Sequence, residues 1–227
     1  MWECWGGDRA MKNGRKDSRF ADEDGARLVG GRLALEFANL RSPALTSDGS
    51  QEGYSEFAAF LAASGVIRAE AKPALFGIWE TALDEAAGLL RRAVLFRGAV
   101  RKVFEARSSG AEILPDWIAP INEILAYTEG YDRLEPAPET TGEKPDWRLA
   151  LHARAQGLEW LLTAIARSAA ELIAEGPGAP IRKCANPRCG LFFYDDSRTG
   201  RRKWCSMAAC GNRAKVAAHY VRQKNKQ

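Results

Sequence analysis

Four cysteines near the carboxyl end constrain this chain more than any other feature. Cys184, Cys189, Cys205 and Cys210 form a C-x4-C pair, a fifteen-residue interval and a second C-x4-C pair. Two short-spaced pairs joined by a loop can each supply one edge of a tetrahedral thiolate site. Zinc suits such a site because it is redox-silent and accepts tetrahedral geometry. We therefore predict one structural Zn²⁺, with no position left open for a catalytic water.

Two other uses of the cysteines remain open at this level. Disulfide bonds need an oxidising compartment, and the first residues carry no basic segment followed by an apolar stretch of the kind that directs secretion. An iron–sulfur cluster also uses four thiolates, but this spacing is not one of the usual cluster patterns. The sequence also lacks an apolar run of about 18 residues, the length of a membrane span. We expect a cytoplasmic zinc protein with no membrane partner.

Charge divides the chain near residue 180. Residues 181–227 contain twelve Lys or Arg and two acidic residues, a net charge of +10, whereas the rest of the chain carries −6. Such an asymmetry indicates two parts with different roles, the basic one facing a polyanion or an acidic surface. A basic face that only solubilises the protein is the alternative.

The basic residues of this tail lie in a loop and in a predicted helix. Residues 197–203 form the loop, with a turn at Gly200, and residues 212–222 form the helix, in which Val216 and Tyr220 are expected to pack inward. A zinc-fixed loop and helix rich in arginine are typical of surfaces that bind backbone phosphates. The predicted nucleic-acid-binding residues are Arg198, Arg201, Arg202, Lys203, Arg213, Lys215 and Arg222.

Residues beside the cysteines fit a small metal-dependent module. Gly190 and Gly211 each follow a cysteine and let the backbone curl so that amide N–H groups can point at sulfur. A unit of about 45 residues buries little surface, so metal binding must supply much of its folding energy. The aromatic residues between the two pairs are expected to form its apolar cap: Phe192, Phe193, Tyr194 and Trp204.

The chain before the cysteines is predicted to be mainly α-helical. Residues 1–26 are polar and without periodicity, which predicts a disordered leader, and residues 27–176 form the helical domain. Apolar spacing predicts helices from a cap at Ser55 to near Gly65, and over 73–107, 115–127 and 155–174, whereas 33–40 could be strand or helix. A β-hairpin is predicted over 130–151. Gly176-Pro177-Gly178 ends the domain, and residues 177–227 form the basic module.

Two motifs resemble known families. Residues 205–215, CSMAACGNRAK, resemble the signature of the bacterial CGNR zinc-finger family, and the first cysteine pair with the basic loop after it is similar to that family's first half. Residues 31–39, GRLALEFAN, resemble the opening of the helical ABATE domain that usually precedes this finger. The resemblance implies a regulator of transcription, linked to stress, whose four cysteines bind zinc and whose finger binds DNA.

These observations favour a bacterial DNA-binding transcription regulator. Its helical domain is expected to form a homodimer or to sense a signal such as a small-molecule effector, while the finger holds DNA. A zinc-dependent module for protein interaction or assembly is one alternative, and RNA binding is another. The sequence contains no phosphate loop, dinucleotide fingerprint or defensible carboxylate pair, so we do not expect an enzyme.

Overall fold

Seven α-helices and two short antiparallel sheets form the part of the chain that this computed structural model describes, residues 28–40, 51–67, 71–127, 130–136, 147–153 and 158–224. The helices are α1 (Leu33–Asn39), α2 (Gln51–Ala63), α3 (Lys72–Thr81), α4 (Leu83–Ser109), α5 (Pro115–Ala126), α6 (Trp160–Ala174) and α7 (Asn212–Lys224). The strands are β1 (Gly130–Pro136), β2 (Trp147–Ala153), β3 (Ile181–Lys183) and β4 (Phe192–Tyr194). The predicted class, mainly helical with a hairpin and a cysteine module ending in a helix, is confirmed. The predicted leader, residues 1–26, lies outside the described residues.

Helix α4 is the longest element and forms one wall of the core. Its buried side chains recur every three or four residues from Ala86 to Ala106, as expected of an amphipathic helix. The helix ends at Gly110, whose φ of 75° is left-handed and whose N–H donates to the Ala106 carbonyl. Glycine adopts this cap conformation at little cost.

Helix α1 settles the ambiguous segment 33–40. Residues 33–38 are all buried, so this short helix has no polar face from which periodicity could identify it. One of these residues is Glu36, whose carboxylate accepts hydrogen bonds from the N–H groups of Val29, Gly30 and Gly31 at 3.1, 2.6 and 3.1 Å. The buried carboxylate thereby holds the preceding loop against the helix.

Two predicted helix boundaries are wrong. Helix α2 begins at Gln51, so Ser55 lies one turn inside it and is not a cap. The predicted helix 73–107 is two helices, because Ala82 leaves the helical region with φ −130° and ψ 56°. Neither Gly nor Pro stands there, and the apolar periodicity continues across the break. The predicted helix 155–174 is found as α6 from Trp160, and residues 155–157 lie outside the described part of the chain.

The predicted hairpin is confirmed. Strands β1 and β2 pair antiparallel in continuous register, from Gly130 opposite Ala153 to Pro136 opposite Trp147. Within the described residues, no helix is both long enough and apolar enough to cross a membrane.

The cysteine module shares the core of the helical domain. Ile181 of β3 and Phe192 of β4 are buried in the same apolar cluster as α1, α4 and α6. The Phe192 ring lies edge-on to Phe104 of α4, with centroids 6.2 Å apart, and the Arg101 guanidinium lies 5.1 Å from its centroid. The core of the module is small, and the module is stabilised further because its Ile181 and Phe192 are buried in the core of the helical domain.

The outer edge of β4 is bonded to the helical domain. The side chain of Asn39, at the end of α1, accepts from the Phe192 N–H and donates to the Phe192 carbonyl, both at 2.8 Å. Two residues on, the Tyr194 N–H donates to the Gly30 carbonyl at 2.8 Å, and the Arg32 guanidinium stacks 4.0 Å from the Tyr194 centroid. With β3 on its other side, β4 is paired on both edges.

Candidate metal centre and basic surface

The four cysteines meet at one point between the two loops of the module. Each offers one sulfur, and the four sulfur atoms all lie within 4.8 Å of one another. Cys184, Cys205 and Cys210 are buried and Cys189 is half-buried. The sequence pairs are thus brought into a single cluster, as their spacing predicts.

The distances within this cluster fit a tetrahedral metal. The Sγ of Cys205 lies 3.6 Å from that of Cys189 and 3.8 Å from that of Cys210. Zinc–sulfur bonds of about 2.3 Å give a tetrahedron whose sulfurs are about 3.8 Å apart. A disulfide would need about 2.05 Å, and all four cysteines are free. The donor set therefore fits one zinc ion.

The pKa values of these thiols show that several thiolates are unfavourable here without a metal ion. Burial raises the pKa of Cys205 far above its usual range, and the neighbouring sulfurs raise it further. Burial likewise raises the pKa of Cys189. At Cys210 burial acts in the same direction, but hydrogen bonds from Asn186 and the other thiols outweigh it and lower the pKa. Several thiolates cannot share so small a space without a positive charge among them.

Two glycines shape the loops around the sulfurs for different reasons. Gly190 has a φ of 68°, the left-handed conformation expected of the residue after Cys189. Gly211 is buried instead, and a Cβ there would lie 2.6 Å from the Met207 sulfur and 3.3 Å from the Trp204 ring. A side chain there would have to displace the end of the exposed Met207 side chain and would pack tightly against Trp204.

The three consecutive aromatics of β4 serve different neighbours. Phe193 is fully buried in the cysteine cluster, against which Trp204 and Leu191 pack. Phe192 points the other way into the helical domain, and Tyr194 contacts Arg32. The predicted aromatic cap is therefore correct for Phe193 and Trp204 and wrong for Phe192 and Tyr194. Alternation along a strand explains this division, but the strand was not predicted.

Asp195 organises the basic loop. Its side chain is fully buried and accepts from the Ser197 N–H and hydroxyl, from the Arg202 N–H and from Arg182 Nε, at 3.2, 2.5, 3.0 and 3.1 Å. Burial alone would raise the pKa of this carboxyl, but the hydrogen bonds, led by those of Ser197, lower it. Arg182 also donates to the Gly200 carbonyl at 2.7 Å. One anion thus fixes a loop of cations, a role that the sequence analysis missed.

Arg202 is directed inward from this loop. Its guanidinium donates to the carbonyls of Trp204 and Cys205 and lies 4.4 Å from the centroid of Phe193. It is half-buried, unlike the other predicted contact residues. Its part in nucleic-acid binding stays a prediction.

The other six predicted contact residues are exposed. Arg198, Arg201 and Lys203 lie on the loop, and Arg213, Lys215 and Arg222 lie on α7. Arg213 Nε also donates to the Ala209 carbonyl at 3.3 Å.

Helix α7 starts directly from the π-helical turn Met207–Gly211, which carries Cys210. The prediction that Val216 and Tyr220 pack inward is wrong, because 55% and 70% of their surfaces are exposed. No neighbouring element covers them in the described part of the chain.

Comparison with known families agrees with this geometry. The family model described as "Putative stress-induced transcription regulator", ABATE, matches residues 31–176. The chain belongs to the ABATE family. The CGNR zinc finger matches residues 181–223, which include all four cysteines of the cluster. No curated protein matches the sequence.

This ABATE protein therefore carries one structural zinc in a CGNR finger, whose four cysteines lie close enough together to hold a single metal ion. Both matched families are of the regulator or zinc-finger kind. The first residues of the ABATE match, 31–39, include Arg32 and Asn39, whose side chains contact β4, and Glu36, which holds the loop before α1.

Proposed function

We propose that this protein is a DNA-binding transcription regulator whose CGNR finger grips duplex DNA. Cys184, Cys189, Cys205 and Cys210 ligate the zinc, and the ion fixes the basic loop and the start of α7. The zinc acts structurally, because four protein ligands leave no coordination position for substrate. In this proposal the chain consists of a helical domain, residues 27–176, and a DNA-binding finger, residues 177–227.

One observation carries the proposal: six exposed cations lie on two segments that the metal centre anchors. Residues 197–224, which carry all six cations, contain no Asp or Glu. Asp195 is buried and committed to the loop. A fixed surface in which cations outnumber acids favours a polyanion. The six cations are Arg198, Arg201, Lys203, Arg213, Lys215 and Arg222.

Salt dependence tests the proposal directly. If the six cations each contact a phosphate, log affinity should fall against log salt with a slope of about −5. The zinc-loaded chain is titrated into fluorescent duplex DNA between low and moderate salt. Lys203→Ala should reduce the slope by about 1. No complex at low salt, or one insensitive to salt, would exclude DNA binding.

The helical domain supplies the regulatory part of the proposal, through dimer formation or by binding a small-molecule effector. Sedimentation of the full chain, with and without DNA, measures dimer formation. The interaction-module alternative predicts self-assembly that chelation abolishes and DNA does not affect. Competition between duplex DNA and structured RNA separates the RNA alternative.

A further inference from the structure

Helix α7 projects from the metal centre with almost its whole surface uncovered. Among residues 212–220 only Ala214 is partly covered, and Val216 and Tyr220 expose 55% and 70% of their surfaces. A helix of 13 residues is marginal in water without a packed face. Its first turn is fixed because the turn that carries Cys210 continues into it. The helix is therefore held in place but lacks a packing partner among the described residues.

The side chains of α7 are arranged in three stripes. Successive residues turn by about 100°, and Ala214 marks the partly covered side of residues 212–220. The opposite side, within about 40° of its centre line, carries Asn212, Val216, His219 and Gln223. This central stripe contains no Lys, Arg, Asp or Glu, and combines two amides and an imidazole with a small apolar group.

Cations border the central stripe on both sides. Lys215 and Arg222 lie about 80–100° to one side, and Arg213 and Lys224 lie at the same angle to the other. All four are exposed. Tyr220 stands between the stripe and the second pair. A centre without Lys or Arg, between two positive borders, matches a surface that is negative on both sides of a less charged floor.

The major groove of duplex DNA has this form. It is about 12 Å wide with phosphates along both walls, and a helix with its side chains is about 10–12 Å across. A second copy of α7 would oppose four cations to four cations, which disfavours a dimer through this helix. The charge and shape of α7 therefore favour nucleic acid over a second copy of the helix as its partner. The width of the major groove favours B-form duplex DNA.

We propose that α7 enters the DNA major groove, with its central stripe against the base edges and its two cationic borders on opposite phosphate walls. The inference rests on the proposed function and specifies which element discriminates sequence. Asn212 and Gln223 have the amide that pairs with adenine, and Val216 offers an apolar contact to the thymine methyl group. The loop cations Arg198, Arg201 and Lys203 would then supply affinity without discrimination.

The test compares variants of the zinc-loaded full chain on two duplexes. One is a sequence enriched from a random pool by the wild-type protein, and the other is its scrambled counterpart. Gln223→Ala and Val216→Ala probe the stripe, and Arg222→Ala probes a border. Arg188→Ala, an exposed cation in the first cysteine loop, is the charge-matched control. Metal content and circular dichroism verify that each variant keeps its finger.

The inference predicts different losses from stripe and border. A stripe variant should lower the preference for the enriched duplex by about 5- to 150-fold, the range for one base contact, while binding to the scrambled duplex hardly changes. Arg222→Ala should weaken both duplexes equally and reduce the salt slope by about 1. Arg188→Ala should leave the preference unchanged.

Blocking the major or the minor groove of the DNA tests independently which groove α7 enters. Glucosylated cytosines that fill the major groove should abolish the preference, whereas a minor-groove ligand should not. Double-stranded RNA, whose major groove is too narrow for side chains, should bind without discrimination. Loop-dependent DNA binding that is indifferent to stripe variants and to the major-groove block would overturn the inference and leave the proposed function standing. Loss of DNA binding altogether would overturn both.

Discussion

The amide of Asn39 joins the helical domain to the finger, and its removal should destabilise the whole described structure. Asn39→Ala deletes two hydrogen bonds of 2.8 Å to the Phe192 backbone. At about 0.5–1.5 kcal/mol for each bond, and somewhat more where a buried group is left unpaired, the loss of unfolding free energy should be about 1–3 kcal/mol. Because Phe192 lies in the domain's core, helical and metal-site probes should shift together.

Denaturant unfolding of the zinc-loaded chain measures this loss. Helical circular dichroism follows the domain, and release of zinc to a chromogenic chelator follows the finger. Asn39→Asp keeps the acceptor for the Phe192 N–H but places a carboxylate against the carbonyl, so it should not restore stability. Gln223→Ala, on the exposed face of α7, is the control and should be neutral. Unchanged stability of Asn39→Ala, or finger loss with an unaffected domain, would refute the reasoning.

Three further predictions concern the metal site, the basic loop and the buried carboxylate. Cys189→Ser should reduce the metal content from about one zinc per chain and speed amide exchange in the finger; full retention of zinc would contradict the ligand assignment. Asp195→Ala removes the buried acceptor of the loop and should cost about 1–3 kcal/mol, with faster exchange at the Ser197 amide than at α6. Burial raises the pKa of Glu36 from 4.5 to about 7, so the native state keeps a proton that the unfolded chain has released. Unfolding free energy should therefore fall as pH rises towards 7, by at most about 1.4 kcal/mol per pH unit, relative to Glu36→Gln; a constant difference between the two proteins from pH 5.5 to 8 would disprove it.

The features that sequence could predict are those set by local spacing. The cysteine pairs define the metal cluster because four sulfurs must converge on one ion, whatever surrounds them. Helices α4, α5 and α6 carry one apolar face each, and that periodicity is visible without a structure. The hairpin of β1 and β2 is predicted because two segments flank a stretch of sequence rich in Pro, Gly and Thr.

The remaining features depend on contacts between distant segments. Phe192 and Phe193 are adjacent in sequence but belong to two cores, which only the position of β4 against α1 decides. Val216 and Tyr220 have the spacing of a packed face, but no element lies opposite them in the described structure. One feature of the sequence could have indicated these contacts. Glu36 and Asn39 are polar residues within an otherwise apolar run, and buried polar groups need hydrogen-bond partners.

The pairing of β4 on both edges limits how this finger can be transplanted. A graft beginning at Gly176 would carry the four cysteines but leave behind Gly30 and Asn39, which satisfy the outer edge of that strand. The recipient would then display an open strand edge beside an uncovered Phe192, the kind of surface through which chains aggregate. A separable reagent would need residues 28–40 for the strand edge and part of α4 to cover Phe192, so a portable form of the finger is discontinuous in sequence.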